Sequence, residues 1–288
     1  MEALQLLLRI TLVIFMVGNL FDMGLRLDLR QALRGLRDLR FVLTTLLWGF
    51  VLLPALAFGL SRWMPIAHPY ATGLLLVGMA PCAPFLPPMV DRARGDLGYT
   101  AAFMLLVEVA IVLYMPLTVP WMIPGLSADP WTIARPLLLF LLLPMSAGIV
   151  LRHRLAALAD RLHPWVKRIT GIDTLLMLVL CVVVYGSGFL SLVGSYAIGA
   201  QLLFFSAASV LPYVFGAGLP QGQRIVLSLG MTTRSLGASF APLFSVPDAD
   251  QRALAMVALA VLMQAAFSFA AATLYARRGG ANSAGAHA

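Results

Sequence analysis

Arg234 places a full positive charge in the middle of a long apolar run, and its neighbours add to the polarity. The stretch 227–237 reads LSLGMTTRSLG, with two glycines, the guanidinium and the hydroxyl side chains Ser228, Thr232, Thr233 and Ser235. An arginine at the centre of a membrane helix costs at least ~2.5 kcal/mol on insertion scales. Backbone loosens at membrane depth only where it is buried in protein or lines a water-filled cavity. A second interrupted run, 78–88, reads GMAPCAPFLPP and carries Pro81, Pro84, Pro87 and Pro88. Each proline ring removes an N–H and clashes with the preceding turn. The freed carbonyls can line a site, or neighbouring helices can satisfy them. Two interrupted spans in matching positions of two halves point to the binding site of a secondary carrier. The chemistry in view is recognition of a small solute rather than bond making.

The elements that must position these residues follow from composition. Of 288 residues, 61% are hydrophobic and 11% charged, with mean hydropathy +0.92. Soluble domains carry about 25% charged residues, so the chain reads as an all-α, polytopic membrane protein. A net charge of +8 would suit nucleic acid. The basic residues, however, fall in short loops, which is a topology signal, and no nucleic-acid partner is expected. Cys82 and Cys181 lie in apolar runs and the histidines lack metal-ligand spacing, so neither a metal site nor a cofactor is expected.

A ruler of ~20 apolar residues per crossing predicts nine spans, at 4–25, 41–62, 70–90, 97–123, 133–151, 172–192, 196–218, 225–245 and 253–275. The first, with Arg9, Asn19 and Asp22 in it, reads as a retained span and not a cleaved leader. Turn residues at Pro65, Pro124-Gly125, Gly194-Ser195 and Pro220-Gln221-Gly222 separate several of them. Residues 1–278 form one transmembrane domain, and the small, polar tail 279–288 reads as disordered. With the N-terminus outside, fifteen Lys and Arg fall in cytoplasmic segments and three, Arg62, Arg135 and Arg252, in outer loops. That asymmetry places the C-terminus in the cytoplasm. The broken spans are the third and eighth. Their odd offset makes them antiparallel, so the chain reads as an inverted five-helix repeat whose first copy lacks one helix.

Several residues resemble, in order and spacing, the sodium/bile acid cotransporter family. They are Met23-Gly24-Leu25, the run 52–58 (LLPALAF), the run 71–78 (ATGLLLVG) with Pro81, Arg94-Gly95-Asp96 and Gly230-Met231. The resemblance extends from Thr11 to Tyr275. It implies crossed broken helices in a core domain, a panel domain, and rocking-type alternating access. It fails where that family binds sodium. The acidic residue two positions before the Gly-Met pair is Ser228, and the Gln-Asn-Ser that follows the pair is Thr232, Thr233 and Arg234. The Ser-Asn pair of the first broken helix aligns with Pro87-Pro88, and a glutamine of the second span becomes Gly49. One hydroxyl ligand survives as Thr100, and the next aligns with Met104. Too few oxygen ligands remain for conventional sodium coupling.

What stands in their place is Arg234 and Glu108, each about 15 Å from the cytoplasmic ends of their spans. Two readings remain open. Glu108 and Arg234 form a structural salt bridge, or Arg234 binds an anionic substrate when Glu108 is protonated, since desolvation and a nearby guanidinium push a carboxyl in opposite directions. Likewise Ser228, Thr232, Thr233 and Ser235 either line the crossover or bond back to their own helix. Thr100, Pro87 and Pro88 complete the candidate substrate site. Cys82 reads as a small buried hydrophobe rather than a soft-metal ligand. Asp91, Arg92, Arg94 and Asp96 either cap helices and set topology or form a gating contact. The arginines of 26–40 form an amphipathic segment suited to anionic lipid, and Asp173 reads as a first-turn acid. Tryptophans 48, 63, 121, 131 and 165 mostly sit where interfacial anchors would.

The expected function is therefore secondary active transport of a small organic anion in the inner membrane, proton-coupled or uncoupled. An intramembrane enzyme would need a nucleophile–base or metal constellation that the spans lack. A non-transporting sensor or scaffold on the same fold is the alternative.

Overall fold

Aspartates and prolines start most of the helices that flank the broken segments. Asp28, Asp38, Asp96 and Asp129 each accept a hydrogen bond from a backbone N–H of the turn that follows, satisfying donors that a helix start leaves orphaned. The computed structural model describes residues 2–82, 85–123, 126, 129–216, 218–244 and 249–284. The order is α1 Glu2–Arg26, α2 Leu29–Gly35, α3 Leu39–Leu47, α4 Leu53–Trp63, α5 His68–Met79, α6 Leu86–Arg92 and α7 Leu97–Met122. It continues with α8 Pro130–Leu137, α9 Leu143–Arg154, α10 Ala156–Leu192, α11 Ala197–Val214, α12 Gln221–Thr232, α13 Leu236–Phe244 and α14 Gln251–Ala284. A π turn, Trp48–Leu52, joins α3 to α4, and another, Leu138–Leu142, joins α8 to α9. Each is followed by a Leu-Pro pair, Leu53-Pro54 and Leu143-Pro144. The wider turn accommodates the proline ring without ending the helix.

Seven helical stretches are long and apolar enough to cross a bilayer: Leu6–Arg26, Leu39–Trp63, Leu97–Met122, Pro130–Arg154, Ala156–Gly186, Ala197–Val214 and Gln251–Arg277. Helices of this length and composition are those of an integral membrane protein. The remaining two expected spans are each built as two short helices, α5 with α6 and α12 with α13. The connection expected before residue 172 is helical from Ala156 onward, so α10 runs for 37 residues. At 1.5 Å per residue it is about 55 Å long, and its first turns extend well beyond any 30 Å hydrocarbon layer. α14 continues to Ala284, into the segment expected to be a disordered tail; 285–288 lie outside the described residues. So do Pro84, the Pro124-Gly125 turn and Ser245.

The helices pack in two sets. α1 lies mainly against α9 and α10, while α4, α5, α7, α11, α12 and α14 pack around one another. Gly24 and Gly148 bring α1 and α9 together so closely that a Cβ on Gly148 would lie 2.5 Å from the Phe21 carbonyl oxygen. Close backbone approach through small residues is how membrane helices gain packing energy without a hydrophobic drive. α2 packs on α7 through buried Ala32 and Gly35 and leaves Arg30 and Arg34 exposed. Trp63, Trp121, Trp131 and Trp165 are exposed, as anchors are, but Trp48 is buried at the first π turn.

Candidate functional site: the helix crossover and the cavities along the first helix

The two interruptions meet. Residues 81 and 234 form an isolated antiparallel bridge. The Cys82 N–H donates to the carbonyls of Gly230 (3.2 Å) and Thr233 (2.9 Å), and the Ser235 N–H donates to that of Ala80 (2.9 Å). Backbone groups orphaned by one break are thereby satisfied by the other, which is how irregular backbone survives inside a protein in lipid. Cys82 is held at φ 74°, a left-handed conformation uncommon for a side chain with a Cβ. Gly78 and Gly230 permit the close approach: a Cβ on Gly78 would meet that of Ala57 at 2.6 Å, and one on Gly230 would lie 2.3 Å from the Phe103 ring. Gly49 faces the same place, with Met231 Cε and Pro81 Cγ within 3.3 Å of where its Cβ would be.

Arg234 is completely buried here. Its Nη1 donates to the Gly78 carbonyl at 3.3 Å, and its guanidinium lies over the Phe204 ring, 4.9 Å from the centroid. Its backbone N–H donates to Gln264 Oε1 on α14 at 2.5 Å. Nε and Nη2 have no hydrogen-bond partner among the described residues. Glu108 on α7 is also buried, with Oε2 unpartnered. Of the two readings left open, the Glu108–Arg234 salt bridge is not formed. Among the described residues the ion-paired carboxylates are Asp22, Asp160 and Asp250.

The crossover hydroxyls bond locally. Thr232 Oγ1 donates to the Ser228 carbonyl (2.8 Å) and Thr233 Oγ1 to the Gly230 carbonyl (3.2 Å), so both return to their own helix. Ser228 Oγ faces the other way, donating to the Ser209 carbonyl at 2.6 Å and lying 2.8 Å from the Tyr275 hydroxyl. Ser235 faces α1.

Open space lies along α1 instead. A cavity of ≈ 430 Å³ lies between the second halves of α1 and of the expected third span, lined by Asn19, Asp22, Arg26, Pro87, Pro88 and Lys167 among others. A neighbouring cavity of ≈ 210 Å³ is lined by Thr100, Pro87, Met104 and Arg26. Asp22 is engaged twice, by Arg26 Nη2 at 3.0 Å and by His163 Nδ1 at 2.6 Å. Lys167 is exposed and has no ion-pair partner among the described residues. Nearer the start of α1, a separate cleft of ≈ 290 Å³ is lined by Arg9, Leu12, Met16, Pro136, Phe140 and Phe244. Between the two ends, Met16, Leu20, Leu141 and residues 235–237 leave a gap of only ≈ 10 Å³. That is at the limit for one water. A Cβ on Gly237 would lie 2.6 Å from Met16 Cγ, so the barrier is tight.

The structure therefore divides the expected site residues. Thr100, Pro87 and Pro88 line cavities, Ser235 borders the barrier, and Arg234, Thr232, Thr233, Ser228 and Glu108 are buried behind it. Lys167 and His163 were legible only as loop charges, because nothing in the sequence reveals that α10 begins early enough to bring them beside α1. Gln264 and Gln201 are engaged at the core as well, and lone amides in apolar spans are the signal that marks them in the sequence. Gln201 Nε2 donates to the Met256 carbonyl at 2.6 Å, tying α11 to α14.

A model of the sodium bile acid symporter family matches residues 11–194. The match includes the first interruption and ends before the second, where Arg234 lies. No curated protein matches the chain.

Proposed function

The chain belongs to the sodium bile acid symporter family, a family of transporters, and we propose from that premise that it is a secondary active carrier of a small organic anion. In this reading nine spans form the inverted repeat, with α1, α8–α9 and α10 as a panel set against the crossover-bearing core. The observation that carries the proposal is the pair of clefts at opposite ends of α1, separated by the tight contact of Met16 on Gly237. A carrier needs a solute path with one closed barrier, and both clefts lie on the seam between the two helix sets. With the basic loops on the cytoplasmic side of the plasma membrane, the ≈ 430 Å³ cavity lies at the inner end and the ≈ 290 Å³ cleft at the outer end.

The substrate's anionic end lies towards Lys167, whose charge no carboxylate takes up among the described residues. Its apolar part lies towards Phe85 and Pro87, since Asp91 on the core side repels an anion. Thr100, Pro88 and Ser235 complete the path. Arg234, Thr232, Thr233 and Ser228 hold the crossover from behind, and Glu108 is the group that would carry a proton if transport is proton-coupled. Conventional sodium coupling is not expected.

Uptake of carboxylates and sulfonates into liposomes, with and without sodium and with an imposed pH gradient, tests this. Sodium-independent uptake that follows the gradient in wild type and loses that response in Glu108→Gln is the expected result. Uptake whose pH response survives Glu108→Gln rules out the proton role. No uptake of any anion rules against the carrier and favours a scaffold on the same fold.

A further inference from the structure

We propose that Arg234 is a resident, covalently tethered cation: its guanidinium provides at the crossover the positive charge that a bound inorganic cation would otherwise have to bring. The inference rests on the carrier reading and names how its ion requirement is met.

Two helices end at the crossover, α5 at Met79 and α12 at Thr232. A helix C-terminus has unsatisfied carbonyls and carries the equivalent of about half a negative charge. In carriers built on broken helices, such ends and the unwound carbonyls beside them hold the coupling cation. Here the bridge between residues 81 and 234 fixes both ends in one place. The group found there is Arg234, donating from Nη1 to the carbonyl of Gly78, in the last turn of α5.

Four observations separate this role from an ordinary structural arginine. No carboxylate pairs with Arg234 among the described residues, so its charge is not consumed by an ion pair. Its remaining neighbours are those a cation selects, a carbonyl oxygen and the face of Phe204. Two of its nitrogens, Nε and Nη2, are buried without a partner, so hydrogen bonding alone does not explain the position. Finally, burying a charge is expensive, and a hydrophobic side chain of similar volume would pack the same space without that cost. What the hydrophobe could not do is oppose the negative end of α5, where the guanidinium donates to the Gly78 carbonyl.

The test compares wild type, Arg234→Lys and Arg234→Gln as full chains, by melting in detergent and by sodium dependence of uptake. Probe cations are sodium and guanidinium at millimolar concentration, against choline. Wild-type melting is expected to be the same in sodium and choline. Arg234→Gln should melt lower than wild type and regain part of that loss in sodium or guanidinium. Arg234→Lys should lose much less and ignore added cations. If Arg234→Gln does not fold, a folded, cation-insensitive Arg234→Lys still supports the proposal, and failure of both variants overturns it in favour of shape. Wild-type melting in Arg234→Gln, or equal losses in both variants without cation response, also overturns it. So does a wild type that requires sodium for uptake, an outcome that leaves the carrier reading intact. A wild type that carries no anion removes the carrier reading, while the melting series still decides whether charge is what position 234 supplies.

Discussion

Asp38 shows how one side chain joins three elements. It caps α3 by accepting from the N–H groups of Arg40 and Phe41, and its Oδ2 accepts from the Tyr99 hydroxyl of α7 (3.1 Å) and Gln223 Nε2 of α12 (3.3 Å). Burial alone would raise its carboxyl, but these hydrogen bonds together outweigh burial and hold it below the ordinary aspartate value of 3.8. A carboxyl lowered on folding contributes stability that is present above the unfolded value and lost as pH falls through the folded one. Melting in detergent should therefore fall as pH drops below about 4, and Asp38→Asn should flatten part of that fall. Asp38→Ala removes the cap as well and should cost ~1–2 kcal/mol at neutral pH. An Asp38→Ala protein as stable as wild type would mean that the contacts with Tyr99 and Gln223 contribute nothing.

Among elements, the pairing of α1 with α9 is the most exposed to a single change. A Cβ on Gly24 would lie 2.3 Å from the Met145 carbonyl oxygen, and Gly148 faces backbone from Phe21 to Leu25. Backbone cannot swing aside as a side chain does, so Gly148→Val must separate the two helices. Overpacking of that kind costs ~1–3 kcal/mol. Because α1 also lines both clefts, the same substitution should impair uptake, and a Gly148→Val carrier with normal melting and uptake would refute the close packing. The broken elements behave differently: α5, α12 and their continuations are held by each other's backbone, so neither would be stable as an isolated helix.

For the whole molecule, the seam between the two helix sets sets where a solute can sit. Lys167 faces the ≈ 430 Å³ cavity with no ion-pair partner among the described residues, while Arg26 and His163 already share Asp22. Lys167→Ala should raise the KM for anion uptake about tenfold, the effect of roughly 1.4 kcal/mol, with less change in maximal rate. Asp91→Asn should leave anion affinity equal or improved. Transport kinetics of the two variants check both, and a Lys167→Ala carrier with wild-type KM places the anion elsewhere.

The sequence alone determined the material of this protein. Apolar runs of membrane length, loop arginines and two runs broken by glycine and proline follow from residue types and one-dimensional spacing, because lipid tolerates few alternatives to a helix. The Gly-rich run before Pro81 and the Gly230-Met231 pair were enough to indicate the family. Tertiary structure alone decided the partners. Depth along a span put Glu108 and Arg234 at one level, but whether they touch depends on helix azimuth, which depth does not specify, and they do not. The threonines beside Arg234 looked the same on paper whether they lined a site or bonded to their own turns; only the fold assigned them to their helices. Lys167 joined the cavity because α10 starts at Ala156 and crosses α1, a consequence of packing between segments more than a hundred residues apart in the chain.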